Sequence, residues 1–383
     1  MASLLTLTAC LLFTAYGGLI VAYRRVWKTI PLFVPQPADH RIKITVLIPA
    51  RNEEENIVEC LQSLALQTYP YDCFEVIVLD DYSTDGTVQA VRNFAGSSLT
   101  LRCLEMANVP RPSTMTAYKK FAIETGIGEA AGELIVTTDA DCQFDPHWLS
   151  MLAACYIEKG AKFIAAPVRI AMAHRSLLAV FQTLDFITLQ GITGAAAHSR
   201  FHSMCNGANL AYARETFYEV QGFKDIDSIP SGDDLLLMHK IYRRYPEKIF
   251  FLKSQQAIVT TRAATNWKDF FHQRVRWASK ADTYDDKRIF WVLLLVYLVN
   301  VIFLALLAGA FFNFWWLWLL LFLLTLKTIV EYPFVRDVAT FFGQQRLMPW
   351  FPVLQPLHIA YTIVVGWLGK FGSYVWKDRK IDK

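Results

Sequence analysis

The sequence predicts a parallel α/β domain carried between apolar helices at the two ends of the chain. Three observations predict it. Short apolar strands alternate with helical stretches through the middle of the chain, and they deliver polar residues at their C-terminal ends, where parallel sheets bind ligands. Hydrophobic content of 54% and a mean hydropathy of +0.27 exceed the soluble average, and the excess gathers at the two ends. The third is Glu133-Leu134-Ile135-Val136-Thr137-Thr138-Asp139-Ala140-Asp141, an apolar strand closing on two carboxylates one residue apart. Alternate residues of an extended chain point the same way, so both carboxylates face one point. Such a pair repels unless a cation sits between, and hard oxygen ligands suit Mg2+ or Mn2+.

Leu4 to Tyr23 is an uncharged apolar run followed by Arg24, Arg25 and Lys28. It has the length of a membrane span, and the basic residues place the next part of the chain in the cytoplasm. After a Pro-containing linker, Pro31 to Asp39, a strand runs from Ile42 to Pro49. Asn52 is placed to cap the next helix, with Glu53 to Glu55 at its positive end and Ile57, Leu61, Leu64 and Ala65 facing inward. Phe74 to Leu79 is a second strand, ending in Asp80-Asp81-Tyr82-Ser83-Thr84-Asp85-Gly86-Thr87, with a helix from Val88. Leu99 to Leu104 is a third strand, Lys119 to Ala131 a helix, and Pro146 opens another helix before a strand at Phe163 to Ala166.

Beyond this point the alternation weakens. Leu177 to Leu189 is amphipathic, suited to a membrane surface. Asn206 to Asn209 is a turn before Leu210-Ala211-Tyr212. Ser231-Gly232-Asp233-Asp234 precedes a helix through Arg244, and Asn266 to Lys280 is a further helix. Ile289 to Phe312 and Phe314 to Val330 read as a spanning hairpin with cytoplasmic charges at Lys287-Arg288 and Lys327 to Arg336. Pro349 to Phe371 is interrupted by Pro352 and Pro356, and a span puts the basic tail Lys377 to Lys383 outside, which an interfacial or re-entrant segment avoids. Its length favours a span, and a span is the expectation. The division expected is an anchor at 1–30, a cytoplasmic domain at 40–265, a membrane-proximal segment at 266–288 and transmembrane or interfacial helices at 289–376.

Net charge is +4, and no Lys/Arg-dense run interleaves with aromatics, so nucleic acid is not an expected partner. Seven scattered cysteines without a Cys-x-x-Cys pair fit reduced thiols in a cytosolic setting. His198, His202 and Cys205 have zinc-like spacing but lack a matching fourth ligand nearby. Asp80 and Asp81 end a strand where a nucleoside lies in a doubly wound sheet, while Asp85 and Gly86 are turn formers. Lys119 and Lys120 can neutralise a diphosphate or form a solvated helix face. Asp233 and Asp234 can cap their helix, or one of them can take a proton from an acceptor hydroxyl. Gln273, Arg276 and Trp277 share one helical face, where Arg can clamp a phosphate and Trp can stack.

Taken in order, Pro49-Ala50-Arg51-Asn52-Glu53-Glu54, the Asp80 to Thr87 stretch, Asp139-Ala140-Asp141, Gly232-Asp233-Asp234 and Gln273-Arg274-Val275-Arg276-Trp277 form a recognisable set. It closely resembles the membrane-bound family 2 glycosyltransferases, the inverting group that includes cellulose, chitin and hyaluronan synthases and ceramide glucosyltransferase. The resemblance covers residues 43 to 280 and the flanking apolar segments. It implies a Rossmann-like glycosyltransferase A-type domain with one N-terminal and two to three C-terminal transmembrane helices. It also implies a nucleotide-sugar donor, of the UDP-sugar kind, a lipid, lipid-linked or glycan acceptor, and Mg2+ or Mn2+. By motif, Asp234 is the catalytic base with Asp233 beside it, and Asp139 and Asp141 hold the metal and diphosphate. Glu53, Asp80, Asp81, Lys119, Gln273, Arg276 and Trp277 belong to donor binding. Asp233 replaces the commoner Glu, and Ala122-Ile123-Glu124 replaces the usual Ala-Leu-Asn after the lysine. The expected location is a bacterial inner or cell membrane with a cytoplasmic catalytic domain. Few spans favour single transfer over a processive polysaccharide synthase. A nucleotidyltransferase or a non-enzymatic nucleotide-sugar-binding membrane protein shares the sheet and carboxylates, but has no need of the Gln-x-x-Arg-Trp motif or the paired Asp233-Asp234.

Overall fold

The computed structural model describes residues 2–94, 99–110, 116–172, 174–229, 232–279, 286–372, 374–376 and 379–381. Ser231, Lys280 at the end of the predicted motif helix, residues 281–285 of the membrane-proximal segment, and Lys377 and Lys383 of the basic tail lie outside them. The chain opens with α1 (Ala2–Thr29), then β1 (Ile44–Ala50), α2 (Ile57–Ala65), β2 (Phe74–Asp80), α3 (Thr87–Phe94), β3 (Leu101–Glu105), α4 (Tyr118–Gly128) and β4 (Leu134–Thr137). It continues through α5 (Trp148–Lys159), β5 (Phe163–Ala165), β6 (Val168–Ile170), α6 (Leu177–Ser199), β7 (Leu210–Ala213), α7 (Arg214–Glu219), α8 (Asp233–Arg244), β8 (Ile249–Phe251) and β9 (Val259–Thr261). Helices α9 (Trp267–Ala278), α10 (Lys287–Ala310), α11 (Trp315–Phe341) and α12 (Phe351–Phe371) come next, and the pair β10 (Tyr374–Trp376) and β11 (Arg379–Ile381) comes last.

Two compact units result, one of residues 31–171 and 196–262, the other of 1–30, 172–195 and 263–383. The first holds a seven-stranded sheet in the order β3-β2-β1-β4-β7-β5-β8. Its central strands are buried on both faces; Val46, Leu47, Ile48, Val76 and Val136 are inaccessible to solvent. Each such side chain contributes about 1.5–3 kcal/mol of apolar burial, and the lack of a polar face is why these strands read as continuous apolar runs. β3, β2, β1 and β4 are parallel, and the chain switches direction of travel between β1 and β4, the place where open α/β sheets bind ligands. The sheet is mixed rather than wholly parallel. β7 enters antiparallel between β4 and β5. Asn52 does not cap α2, which starts four residues later behind Asn56.

The second unit is helical. Among the described residues five helices are long and apolar enough to cross a membrane: α1 from Leu5, α6, α10, α11, and Gln345–Phe371, which includes α12. Of these α6 differs, with 78% of its apolar window buried against 22–33% for the others. It is not the surface-lying stretch of 177–189 that the sequence predicts; it continues to Ser199 and buries most of its length. Gly191 allows this, since a Cβ there would lie 2.4 Å from Val338 Cγ2 of α11. α1 and α11 run side by side in the same direction, with contacts at Tyr16–Glu331, Tyr23–Phe334, Arg24–Asp337 and Trp27–Phe341. α12 meets α11 where Gln355 Nε2 donates to Glu331 Oε2 (2.6 Å), ten residues before the end of α11. It meets α10 where Gly366 presses on the Tyr297 ring, ten residues after the start of α10. At 1.5 Å per residue both contacts lie about 15 Å from the same end of the antiparallel pair, so α12 crosses the pair rather than running along it.

Candidate active site

The C-terminal ends of β1 and β2 carry two loops stitched together by short-range polar contacts. Asn52 and Tyr82 both adopt positive φ, 52° and 58°, the left-handed region that Asn tolerates and Tyr rarely enters. Asn52 N–H donates to Ser83 Oγ (3.0 Å), and Asn52 Oδ1 accepts from Thr84 N–H (2.9 Å). Arg51 Nη1 donates to the carbonyls of Asp81 (2.7 Å) and Tyr82 (2.8 Å). Asp85 Oδ1 accepts from Thr87 N–H (3.0 Å), and Gly86 N–H donates to Glu54 Oε2 (2.7 Å), so Asp85 and Gly86 do form the turn their types predict. The side chain of Asp80 emerges buried from this frame. Its Oδ2 accepts from Ser83 N–H (3.3 Å), while its Oδ1 is buried without a hydrogen-bond partner. Asp81 is equally buried, and Glu53 Oε2 accepts from Asn56 Nδ2 (2.6 Å).

Asp139 and Asp141 lie just beyond β4, in a turn rather than on the strand. The strand stops early because Thr138 turns aside, its Oγ1 donating to Ala208 O (2.8 Å), and Cys142 N–H then closes the turn on Asp139 O (3.2 Å). Asp141 Oδ2 accepts from Thr261 Oγ1 of β9 (2.9 Å). Burial, then the neighbouring Asp139 charge, with Glu53 adding to it, pushes the Asp141 carboxyl above its ordinary value despite that hydrogen bond. Asp139 Oδ1 accepts from Lys119 Nζ at 2.9 Å, and the same ammonium lies 3.6 Å from Asp233 Oδ2. Burial pulls the Lys119 ammonium down, but Asp139, Asp233 and Asp234 outweigh it and the net shift is upward.

α8 begins at Asp233 after Gly232, which turns the chain in at φ 79°. Asp233 therefore faces Lys119, while Asp234 turns toward the 206–209 turn, its Oδ2 accepting from Gly207 N–H (3.0 Å) and its Oδ1 from Leu235 N–H (2.8 Å). Lys120, the twin of Lys119, is taken up structurally, donating to the carbonyls of Ile226 (2.6 Å) and Ile229 (2.7 Å).

In the helical unit, α9 is capped by Asn266, whose side chain accepts from Asp269 N–H (3.0 Å), a contact worth about 1 kcal/mol. Gln273, Arg276 and Trp277 lie half-buried along this helix. His198, His202 and Cys205 form no metal centre: among the described residues no group of three or more His, Cys, Asp or Glu is arranged to hold an ion.

Two family models match this chain, "Glycosyl transferase family 2" over residues 45–176 and "Glycosyl transferase family group 2" over residues 134–368. The chain is a family 2 glycosyltransferase. Among its relatives is the probable glycosyltransferase YdaM of Bacillus subtilis (strain 168), 27% identical over 243 residues, which is 62% of this chain and 54% of that protein. Another is the beta-monoglucosyldiacylglycerol synthase of Nostoc sp., 25% identical over 239 residues, or 61% of this chain and 48% of that protein. The matches thus span about half the length of these two relatives. The mannosyltransferase PcManGT from Pyrobaculum calidifontis, solved in complex with GDP-Man and Mn2+, shares the fold at a TM-score of 0.59. That similarity covers 92% of this chain and 99% of that one at 22% identity. The glycosyltransferase therefore has the glycosyltransferase A-type fold, with one long apolar helix at the N-terminus and several toward the C-terminus.

The acidic residues of the glycosyltransferase suit a hard divalent cation. Asp139 and Asp141 offer carboxylate oxygens on one turn, and burial, then the Asp139 charge, raises the Asp141 carboxyl. Two carboxylates suit Mg2+ or Mn2+, which complete their shells with phosphate oxygens and water. Sequence reasoning missed Thr261, which holds Asp141 across 120 residues of chain, and Arg51, which fixes the loop around Asp81. Arg51 lies within the Pro49 to Glu54 motif, but nothing in the motif assigns it this loop contact, and Thr261 lies in no pattern that marks it.

Proposed function

We propose that the protein is a membrane-bound inverting glycosyltransferase that moves a sugar from a UDP-sugar to a hydroxyl of a lipid, lipid-linked or glycan acceptor. The observation that carries this reading is the chain of acids at the sheet's switch point, Asp139 joined through Lys119 to Asp233, with Asp234 next along the helix. The contacts among these residues support reading Asp139 as a diphosphate-side carboxylate and Asp234 as the base of one site. Asp80, with an unsatisfied buried oxygen, and Asp81 accept from the nucleoside, beside Glu53. Asp139 and Asp141 hold the divalent cation, which when bound neutralises the diphosphate. Lys119 contributes a second positive charge there. Asp234 takes the acceptor proton, and the anomeric centre inverts in one displacement without an enzyme nucleophile. Asp233 orients Lys119 and keeps the base in place. Gln273, Arg276 and Trp277, by their family motif, contact the donor diphosphate and the acceptor.

A membrane setting is supported by the long apolar helices. Arg24 at the end of α1, Lys287 and Arg288 at the start of α10, and Asp337 near the end of α11 mark one charged side of the helical unit. By the positive-inside rule this side is cytoplasmic, and residues 40–265 are the cytoplasmic catalytic domain. The crosswise course of α12 makes it a helix lying in the membrane face rather than a span. Single transfer is favoured, since α1, α10 and α11 are too few spans to enclose a polymer channel.

The test is release of nucleoside diphosphate from a panel of nucleotide sugars by full-length protein, with membrane lipid extract as acceptor. Transfer from a UDP-sugar to an extractable lipid or glycan with inverted anomeric configuration is expected. Retention of configuration, or nucleotidyl rather than glycosyl transfer, overturns the reading.

A further inference from the structure

The motif helix α9 carries a second arginine, Arg274, that the functional reading leaves without a role. It is 1% exposed, and its Nε, Nη1 and Nη2 meet no hydrogen-bond acceptor in acceptable geometry. What holds its charge is Asp185 of α6, with Oδ2 2.8 Å from Nη2, and a ring of aromatic faces. The guanidinium carbon lies 4.3 Å from the centroid of Trp277, 5.0 Å from Phe270 and 5.9 Å from Phe186. Asp185 Oδ1 is in turn 3.7 Å from His358 Nε2 of α12. His358 lies one helical turn past Gln355, which accepts from Lys327 Nζ (2.7 Å) and donates to Glu331 (2.6 Å), itself the acceptor for Tyr16. Buried polar groups thus run from α1 through α11 to Gln355 of α12, and a partly exposed His358 one turn further on that helix meets Asp185, the partner of Arg274.

Burying a guanidinium–carboxylate pair costs several kcal/mol of desolvation per ion, and well-packed apolar residues of the same volume are often as stable or more so. Stability therefore does not explain Arg274. We infer that Arg274 and Asp185 are positioning residues for the reaction: the guanidinium, fixed by Asp185, sets the ring plane of Trp277 and thereby the presentation of the motif face. The electrostatics agree, because a cation desolvated over an indole face is attracted to it more strongly than in water. The inference rests on the proposed role of Gln273, Arg276 and Trp277 in contacting donor and acceptor.

The test uses full-length protein in nanodiscs labelled with 5-fluorotryptophan. Of the eleven tryptophans, the Trp277 resonance is the one lost in Trp277→Phe. Arg274→Met is expected to shift or broaden that resonance while leaving most others in place, and to lower kcat about tenfold or more. Arg274→Lys, which keeps a cation over the ring, restores part of both. Should Arg274→Met fold poorly, the charge-neutral pair Asp185→Leu/Arg274→Met keeps the core apolar and is read in its place; low turnover in this stable protein is the expected result. An unmoved Trp277 resonance in a folded Arg274→Met protein overturns the positioning role. A moved resonance with wild-type turnover instead overturns the part assigned to the motif tryptophan in the reaction.

Discussion

Asp234→Asn separates the base from the metal site. Asp234 Oδ2 accepts from Gly207 N–H at 3.0 Å and Oδ1 from Leu235 N–H at 2.8 Å. An amide has one acceptor oxygen, so its NH2 is forced against one of these two N–H donors. Leaving such a donor unmet costs about 1–3 kcal/mol, and the thermal midpoint falls by some degrees. The chemical loss is separate. Removing a general base lowers the rate by roughly 100-fold or more, and 100-fold corresponds to about 2.7 kcal/mol of transition-state stabilisation. Donor and metal affinity stay near wild type, because Asp139, Asp141 and Lys119 are untouched. Asp233→Asn is milder, since that carboxylate lies 3.6 Å from Lys119 and serves to hold the ammonium. The assay pairs calorimetric donor binding with sugar transfer on both variants, below the midpoint of the less stable one. Normal transfer by Asp234→Asn with a dead Asp233→Asn swaps their roles. If Asp234→Asn chiefly loses donor binding, the base lies elsewhere.

Exhaustive chelation abolishes turnover and Mn2+ or Mg2+ restores it, and Asp141→Asn weakens metal-dependent donor binding; full activity without divalent ions would falsify the assignment of Asp139 and Asp141. Lys119→Met removes the ammonium 2.9 Å from Asp139, so nucleoside-diphosphate affinity falls while donor-free Mn2+ binding, measured by calorimetry, holds or strengthens. A weakened Mn2+ affinity in that variant contradicts the view that the lysine and the metal compete for one carboxylate. Cys103 stays unlabelled by an impermeant maleimide in intact cells and is labelled in inverted vesicles. The reaction there accelerates as pH rises, because burial, then Asp80 and Glu105, push its thiol up to about 11 and thiolate is scarce below that. Labelling in intact cells places the domain on the other side.

The parts of the fold legible in the sequence are those whose burial is complete and local. β1 and β2 are apolar on both faces, so composition alone marks them, and the acids after Leu79 and Thr138 stand out against that background. β7 is different. Leu210-Ala211-Tyr212-Ala213 is a short apolar run with no intrinsic direction, so its antiparallel pairing with β4 and β5 is not written in its composition. Asn52 misleads for a related reason: an Asn before acidic residues suits a helix cap, but its oxygen is claimed by Thr84 N–H across a loop contact that no periodicity encodes. Asp139 and Asp141 stand out by type and spacing, yet the turn that presents them depends on Thr138 reaching Ala208, 70 residues away. The amphipathic pattern of α6 breaks off at Leu189 because Gly191 looks like a helix breaker, whereas close contact with Val338 is the reason for the glycine.

The electrostatics of the sheet-end site explain why spacing there is more telling than composition. Asp80 and Asp81 are buried at the end of β2, and Asp139 and Asp141 follow β4. Asp139, Asp233 and Asp234 all act on Lys119, and burial, then Asp139 with Glu53 adding to it, raises the Asp141 carboxyl. Lys119 answers two of these acids directly, and Arg51 spends its guanidinium on backbone carbonyls. A diphosphate brings further negative charge to such a surface, and at a separation of 4 Å each uncompensated pair of like charges costs about 1 kcal/mol in water and about 4 kcal/mol near a protein surface. Repulsion of that size disfavours a diphosphate that arrives without a counter-ion, and a divalent cation bound with it would offset that cost. Asp139 and Asp141, in their proposed role as metal holders, would then favour a diphosphate over a neutral sugar or a monophosphate, because a diphosphate offers more oxygens to the cation. Lys119 fits this account as an internal counter-ion: it steadies Asp139 and Asp233 before the donor arrives, and its charge is then available to the diphosphate once the cation has taken over Asp139.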